Sequence, residues 1–250
     1  METGAKKKKI MIRVRDLRKE YRLKDDTVVA LKRINLDIEQ GEICCIFGTS
    51  GSGKSTLLNQ LAGLEKPTYG DVYIRGVAVT RLSEKELAEF RQKHIGFVFQ
   101  SYNLLPFMNA AENVAVPLMF RGVSKRERMK KSAAILKKVG LANRLNHYPK
   151  QMSGGQQQRV GIARAFIAHP DVVFADEPTG NLDSKTTIEV MEMIRSFARR
   201  FDQTIVLVTH DPELAQYADR IVTLVDGRIV SDTKNAKNDT VKGETNEQAI

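Results

Sequence analysis

Long apolar runs are missing from this sequence of 250 residues. No run approaches the ~20 apolar residues that a membrane-spanning helix needs. The basic start, METGAKKKKIMIRVRDL, also lacks the apolar stretch of a signal peptide. These absences predict a cytosolic protein with no membrane span of its own.

Cysteine is scarce as well, and the only two cysteines, Cys44 and Cys45, are adjacent in EICCIFG. Neighbouring residues of a strand point to opposite faces, so a disulfide between them is not expected. The sequence therefore has no disulfide framework. We expect both side chains to pack in a core.

The composition is that of a globular protein, with 42% hydrophobic and 28% charged residues. The formal net charge of +10 favours an anionic partner such as a membrane surface, nucleic acid or phosphate. Charge alone does not choose among the three.

The apolar pattern predicts two kinds of strand. IMIRVRDL and RINLDIE alternate apolar and polar residues, which is typical of half-exposed antiparallel strands. Residues 43–47, 172–175 and 204–208 are continuously apolar, as in a parallel sheet covered on both faces. A helix-like stretch follows each of these three runs, and this alternation predicts an α/β fold.

A region of different character, about residues 101–160, has no strong strand pattern and contains two helix-like stretches. We expect a helical subdomain inserted into the sheet core. Residues 121–138 carry eight Lys or Arg and one Glu, consistent with a solvated helix face or with a patch that meets phospholipid or a partner. Residues 231–250 are polar and are expected to form a flexible tail without an assigned function.

The segment GTSGSGKST fits the pattern G-x-x-x-x-G-K-[ST], follows an apolar strand and opens a helix. In such a loop, glycines let backbone N–H groups surround phosphate oxygens, lysine supplies charge for the β- and γ-phosphates, and the serine hydroxyl is placed for Mg²⁺. We therefore predict a nucleoside triphosphate site with Mg²⁺. Its predicted residues are Gly48, Thr49, Ser50, Gly51, Ser52, Gly53, Lys54, Ser55 and Thr56.

Acidic and imidazole groups follow two of the buried strands. Asp176 comes directly after VVFA and is the predicted Mg²⁺ ligand. Glu177, one residue on, is the candidate general base for an attacking water. His210 ends the strand TIVLVT at the same carboxyl edge, where α/β ligand sites form, and is the predicted γ-phosphate sensor.

A second glycine pair, in QMSGGQQQRVG, opens another helix-like stretch but offers no lysine. Backbone N–H groups at a helix N-terminus bind anions. This segment predicts a second phosphate contact, and the phosphate that it meets is not evident from the segment itself.

Taken in order, these motifs make residues 11–230 resemble the ATP-binding subunits of ABC transporters. The resemblance implies a P-loop RecA-like core with an antiparallel β subdomain and an inserted helical subdomain, within an ATPase domain of residues 1–230. It implies that Gln100 is a catalytic residue and Mg²⁺ ligand, that Asp183 belongs to the D-loop of the nucleotide site, and that Tyr21 stacks on adenine.

In that family, two subunits meet head to tail around ATP. The resemblance implies that Ser153, Gly154, Gly155 and Gln156 of one copy cap the γ-phosphate held by Lys54 of the other. The second cradle then needs no lysine. A second copy of the chain is the expected partner.

The segments around these motifs look like the macrolide-export and lipoprotein-release branch. This resemblance implies a separate membrane permease, received in a groove beside Gln100, and a place at the cytoplasmic face of the membrane. The cargo would be a peptide, drug or lipid-linked substrate for export or extraction. A regulatory ATPase of a cell-division type complex is the alternative. A nucleic-acid partner is not expected, because the second ATPase domain or long coiled coil of such family members is missing.

Overall fold

The computed structural model describes residues 9–23 and 26–235, in which ten strands form two sheets. The strands are Ile10–Leu23 (β1), Asp26–Glu39 (β2), Ile43–Phe47 (β3), Tyr69–Ile74 (β4), Val77–Ala78 (β5), Ile95–Phe99 (β6), Val172–Asp176 (β7), Thr204–Thr209 (β8), Arg220–Val225 (β9) and Arg228–Lys234 (β10). The helices are Lys54–Leu61 (α1), Glu84–His94 (α2), Ala110–Phe120 (α3), Lys125–Lys138 (α4), Gly154–Phe166 (α5), Ser184–Arg200 (α6) and Pro212–Ala215 (α7).

The smaller sheet is antiparallel, with strand order β2-β1-β4-β5. Along β1, the side chains of Ile12 and Val14 are fully buried, whereas Arg13 and Arg15 between them are exposed. This alternation follows from the two-residue period of a strand with one face on a core. The half-exposed antiparallel strands predicted from the sequence are confirmed.

The larger sheet has the order β10-β9-β3-β8-β7-β6. Strands β3, β6, β7, β8 and β9 pair in parallel, and β10 adds an antiparallel edge. The three continuously apolar runs are its inner strands β3, β7 and β8. Helices and the smaller sheet cover both faces, which is why these strands have no polar face.

Two hydrophobic cores lie on opposite faces of the larger sheet. Cys45 packs with α3, α5 and α6 in one core, and Cys44 packs with α1 and the smaller sheet in the other. Both cysteines are free and buried, as expected, and burial raises the pKa of the Cys45 thiol to about 12. Neither thiol is therefore a reactive thiolate at neutral pH.

The insertion between β6 and β7 is helical. Asn109 caps the N-terminus of α3 and Ser153 that of α5, and in each case the capping residue and the Glu or Gln three residues on accept a hydrogen bond from each other's backbone N–H. Within residues 101–160 the structure contains α3, α4, short 3₁₀ turns and the first part of α5, which runs on to Phe166.

The segment predicted to be a tail begins inside a strand. Residues 231–234 belong to β10, where the Asp232 carboxylate accepts two hydrogen bonds from Arg220. The rest of that segment from residue 236, and the basic residues 1–8, lie outside the described residues. Among the helices that are described, none combines the length and apolarity needed to cross a lipid bilayer.

Candidate functional site

The predicted phosphate loop, residues 48–56, joins β3 to α1. Gly53 caps the helix in a left-handed conformation (φ +100°), and a Cβ there would lie 2.7 Å from the carbonyl oxygen of Ala30. The Lys54 ammonium folds back and donates to the Thr49 carbonyl, at 2.8 Å. A Cβ at Gly48 would lie 2.3 Å from the carbonyl oxygen of Leu224. Only glycine fits these positions, so the loop backbone packs close to its neighbours and can wrap around an anion.

A turn that the sequence analysis missed supports this loop. Gly227, between β9 and β10, donates its N–H to the Ser52 carbonyl at 3.0 Å and accepts the Lys32 N–H at 2.8 Å. The Asp226-Gly227 dipeptide between two apolar stretches is a recognisable turn sequence. Its contact with the phosphate loop was not recognisable, because it joins residues more than 170 positions apart.

The loop opens into a cavity of about 620 Å³ at the carboxyl edge of the larger sheet. This edge cavity collects residues predicted from separate motifs, together with parts of β2 and the turn at Gly227. The predicted residues that line it are Ser50, Gly51, Gly53, Lys54, Ser55, Thr56, Gln100, Glu177 and His210. Gly48, Thr49 and Ser52 belong to the same loop but are not part of the lining.

Glu177 and His210 form a hydrogen-bonded pair in this cavity. The imidazole Nδ1 lies 2.7 Å from the Glu177 Oε1, and the Thr209 hydroxyl donates to Oε2 at 3.1 Å. Glu177 has a φ of 43°, a left-handed backbone that is costly for a residue with a side chain. Its N–H donates to the Val208 carbonyl at 3.0 Å, which holds it against β8. The carboxylate is thus fixed on two sides and faces the cavity.

Asp176 provides a test of the predicted metal site. Its Oδ1 atom is buried and has no hydrogen-bond partner among the described residues. Burial, and then the neighbouring Glu177, raise the pKa of the Asp176 carboxyl, while Lys54 acts in the opposite direction. A buried carboxylate oxygen without a partner is what a divalent cation satisfies. The residues present fit Mg²⁺.

Gln100 follows β6 and is exposed at the edge cavity. Its main-chain carbonyl accepts a hydrogen bond from the Asn181 side chain at 3.1 Å. Its side chain lies against Gly180, where an added Cβ would be 2.6 Å from Nε2. The glutamine therefore contacts the loop that follows Glu177.

Tyr21 lies beside the loop but not in the cavity lining. Its hydroxyl donates to the Glu65 carboxylate at 2.8 Å, and the Thr56 side chain also contacts it. Burial, and then Glu65, raise the pKa of the phenol. Lys19 lies 5.1 Å from the ring centroid. The predicted adenine contact stays a prediction.

The signature segment, residues 153–156, lies outside the edge cavity. The Ser153 hydroxyl accepts the Gln156 N–H at 3.3 Å, and the Gln156 side chain accepts the Ser153 N–H at 3.1 Å. A Cβ at Gly154 would lie 2.7 Å from the Tyr102 hydroxyl, and one at Gly155 would lie 2.7 Å from Thr186. The two glycines therefore let the helix start pack against its neighbours.

Asp183 lies next to the signature segment rather than in the edge cavity. It caps the N-terminus of α6, where its carboxylate accepts the Thr186 N–H at 3.0 Å and the Thr186 hydroxyl at 2.7 Å. These hydrogen bonds lower the pKa of the Asp183 carboxyl. The predicted site residues thus form two groups on one chain, one around Lys54 and one around Ser153.

A separate apolar groove of about 660 Å³ lies between α2, α3, α5 and β6. Phe97, Phe99 and Pro117 line it, and Phe120 at its side is 67% exposed. An exposed aromatic next to a concave apolar surface is typical of an interaction site. Phe99 lines this groove, whereas Gln100, beside which a permease contact was expected, lines the edge cavity.

Comparisons with known proteins agree with the fold and the motif order. The family model described as "ABC transporter" matches residues 31–180. An uncharacterized ABC transporter ATP-binding protein, MJ1508 of Methanocaldococcus jannaschii, is 49% identical over 220 residues, covering 88% of this chain and 98% of that protein. The macrolide export ATP-binding/permease protein MacB of Rhodopirellula baltica is 46% identical over 226 residues. That match covers 90% of this chain but only 33% of MacB.

A solved structure is also similar. The ATP-binding cassette MJ0796, in a dimeric post-hydrolysis state with ADP and Pi, matches with a TM-score of 0.85 and 42% identity. The match covers 90% of this chain and 99% of that one.

Proposed function

The chain belongs to the ABC transporter family of ATP-binding proteins and is an ATPase of that family, and from this premise we propose that it powers a separate membrane permease as an ATP-bridged dimer. The observation that supports the proposal is the edge cavity, where Lys54, Glu177 and His210 come together from three separate motifs.

Hydrolysis is assigned to the Glu177–His210 pair. The Glu177 carboxylate takes a proton from water, whose oxygen attacks the γ-phosphorus of ATP while the bond to the β-phosphate oxygen breaks. His210, hydrogen-bonded to Glu177 at 2.7 Å, orients that carboxylate and meets the γ-phosphate. Lys54 turns from the Thr49 carbonyl to the phosphates. The side chains that would hold Mg²⁺ are Ser55, Asp176 and Gln100, and the ion when bound neutralises phosphate charge.

Replacing Glu177 by glutamine tests the general base. Glu177→Gln keeps the shape and the contact with His210 but cannot accept the proton. Steady-state ATP turnover should fall at least ~100-fold, while the affinity for fluorescent ATP stays within about twofold of the wild type. Turnover at the wild-type rate would show that another group is the base.

Dimerisation is proposed because the predicted site residues lie in two separate groups on one chain, one around Lys54 and one around Ser153. Ser153 and its neighbours lie outside the cavity of their own chain, at a helix N-terminus suited to an anion. The similar cassette MJ0796 is itself described as a dimer with ADP and Pi. We infer that the signature segment of one copy closes the edge cavity of the other around the γ-phosphate.

The permease is proposed as the occupant of the apolar groove, at the cytoplasmic face of the membrane. The relative MacB is named as a protein that contains both ATP-binding and permease parts, and this chain spans about a third of it. The cargo proposed is a peptide, drug or lipid-linked molecule.

Recovery of the partner tests this proposal. Tagged Glu177→Gln would be locked with ATP in its native cells, extracted from membranes, and its co-purifying proteins identified by mass spectrometry. Glu177→Gln that also carries Phe120→Asp is the matched control, since only the groove is altered. A transport permease lost from the control supports the proposal. Recovery with wall-remodelling proteins would favour the cell-division type of complex.

A further inference from the structure

Arg164 occupies an unusual position on α5, between the apolar groove and the segment after Gln100. Its guanidinium donates from Nη1 to the Asn103 carbonyl at 2.6 Å and from Nη2 to the Tyr102 carbonyl at 2.8 Å. Burial lowers the pKa of this guanidinium, yet arginine stays charged in proteins. Among the ion pairs of the described residues, none includes Arg164. Main-chain carbonyls thus satisfy this cation.

The two carbonyls belong to a strained turn. Tyr102 and Asn103 have φ values of 61° and 46°, in the left-handed region. The turn has two short-range hydrogen bonds, from the Tyr102 N–H to the Phe99 carbonyl at 3.3 Å and from the Asn103 N–H to the Ser101 carbonyl at 2.6 Å. Two consecutive left-handed residues with side chains persist only where their surroundings hold them. The guanidinium bridges their two carbonyls and so helps to hold this conformation.

This turn connects both groups of the proposed ATP site. Gln100, two residues before Tyr102, lines the edge cavity with Glu177. The Tyr102 hydroxyl packs against Gly154, so close that a Cβ there would lie 2.7 Å away. A shift of the turn therefore moves Gln100 in one site and a contact of the signature segment in the other.

The same arginine lines the apolar groove. Its side chain shares that surface with Phe97, Phe99 and Pro117. A partner segment seated in the groove would meet Arg164 directly. Of the groove residues, it is the one whose charged end is bonded to the turn.

We propose that Arg164 is a positioning residue, which fixes Gln100 at the ATP site by holding the Tyr102–Asn103 turn through its two hydrogen bonds. Because the same side chain lines the groove, it also connects the turn to that surface. The inference rests on the proposed function for its catalytic consequence. Its structural part, the clamp, stands on the hydrogen bonds alone.

Two substitutions and a matched control test the clamp in the full-length chain. Arg164→Met removes both donations, and Arg164→Lys keeps one charged donor. Arg159→Met is the control, because Arg159 lies on the same helix and also binds a carbonyl, that of Val139, together with Glu189. It does not contact the turn.

Hydrogen exchange by mass spectrometry gives the first readout. Amides of residues 99–105 should exchange about tenfold faster in Arg164→Met, at an intermediate rate in Arg164→Lys, and at the wild-type rate in Arg159→Met. Equal exchange in Arg164→Met and Arg159→Met would overturn the proposal. If Arg164→Met does not fold, the comparison of Arg164→Lys with the control decides in the same way.

ATP turnover gives the second readout. The kcat of Arg164→Met should fall about tenfold with KM for ATP changed less than about twofold, because Gln100 is displaced while the phosphate loop is intact. Arg164→Lys should recover part of the loss. A kcat equal to that of Arg159→Met would overturn the catalytic consequence. Failure of the Glu177→Gln prediction, with the exchange result intact, would instead count against the proposed function.

Discussion

At the scale of single residues, the proposed ATP site contains groups whose backbone conformation or burial costs free energy. Glu177 has a left-handed backbone, and the Asp176 Oδ1 is buried without a partner among the described residues. Such features persist when the rest of the fold stabilises them, and they concentrate at functional sites. Each one predicts a stability effect that is separate from activity.

Asp176→Asn should stabilise the protein without Mg²⁺ and nucleotide. The folded state raises the pKa of Asp176, so its charged form is disfavoured there. The penalty is absent below the unfolded pKa of ~3.9, grows as the pH rises above it, and is complete above the raised folded pKa. Urea unfolding at pH 7 should therefore show a higher midpoint for the variant, with the difference shrinking toward acid.

Asp183→Ala is a control for which the expected change in stability has the opposite sign. Hydrogen bonds from Thr186 lower the pKa of Asp183, so its charged form stabilises the fold above the unfolded pKa. The alanine variant should be less stable at pH 7. A lower midpoint for Asp176→Asn would contradict the account of an unpaired carboxylate.

Gly53→Ala should be more harmful than Gly76→Ala. Both glycines have positive φ, but a Cβ at Gly53 would lie 2.7 Å from the Ala30 carbonyl oxygen, whereas Gly76 has nothing within 4 Å. Gly76→Ala is expected to cost about 1 kcal/mol from the backbone alone. Gly53→Ala should cost clearly more in urea unfolding and should lose the rise in melting temperature on adding ATP. Equal losses of stability in the two variants would show that the main chain at Ala30 moves to make room for the added methyl group.

Residues whose role is local could be predicted from the sequence. Lys54, Glu177 and His210 each follow a buried strand, and strand ends of a parallel sheet share one edge, where the structure brings these three together. Gly227 and Arg164 could not be predicted. Their roles depend on contacts with residues far away along the chain, which no local pattern records.

At the scale of elements, helix α3 secures the chain that leads away from the proposed ATP site. Asn113 on α3 is fully buried. Its Oδ1 accepts the Leu105 N–H at 2.7 Å, and its Nδ2 donates to carbonyls that include Leu105 at 3.0 Å and Met108 at 2.8 Å. One side chain thus supplies several hydrogen bonds to the irregular loop that precedes α3.

Asn113→Leu should therefore destabilise the fold by about 2–4 kcal/mol, because it leaves several buried backbone groups without partners. Asn143→Leu, at an exposed position of the same subdomain, should change stability by less than ~0.5 kcal/mol. Urea unfolding of the two variants measures the difference. Similar small effects in both would mean that water replaces the lost hydrogen bonds.

The strands predicted from the apolar pattern are present as β1, β2, β3, β7 and β8, whereas β4, β5, β6, β9 and β10 were not predicted. The surroundings of the basic stretch 121–138 were harder to predict, since a count of charges does not show which side chains contact the protein and which face solvent. Arg121 is half-buried, and its guanidinium donates to the carbonyls of Gln92, Lys93 and Ala168. Lys131 instead pairs with Glu127 one turn away at the surface. The stretch is thus partly an anchor between α2, α3 and α5 and partly a solvated face.

At the scale of the whole molecule, the proposed mechanism requires a second copy of the chain. One chain carries the phosphate loop at its edge cavity and the signature segment elsewhere. A triphosphate long enough to contact both would favour the dimer, whereas a diphosphate would not. In the proposed switch, ATP binding closes the pair and hydrolysis releases it, because the ligand binds one state better than the other.

Light scattering of Glu177→Gln during size exclusion tests this claim most directly. The protein should have twice the monomer mass with ATP and the monomer mass with ADP. Adding Ser153→Arg should keep the protein monomeric with ATP. Adding Ser83→Arg, which breaks the equivalent capping box of α2, should leave the ATP dimer intact. A Glu177→Gln protein that stays monomeric at saturating ATP, or a dimer that tolerates Ser153→Arg, would contradict this claim.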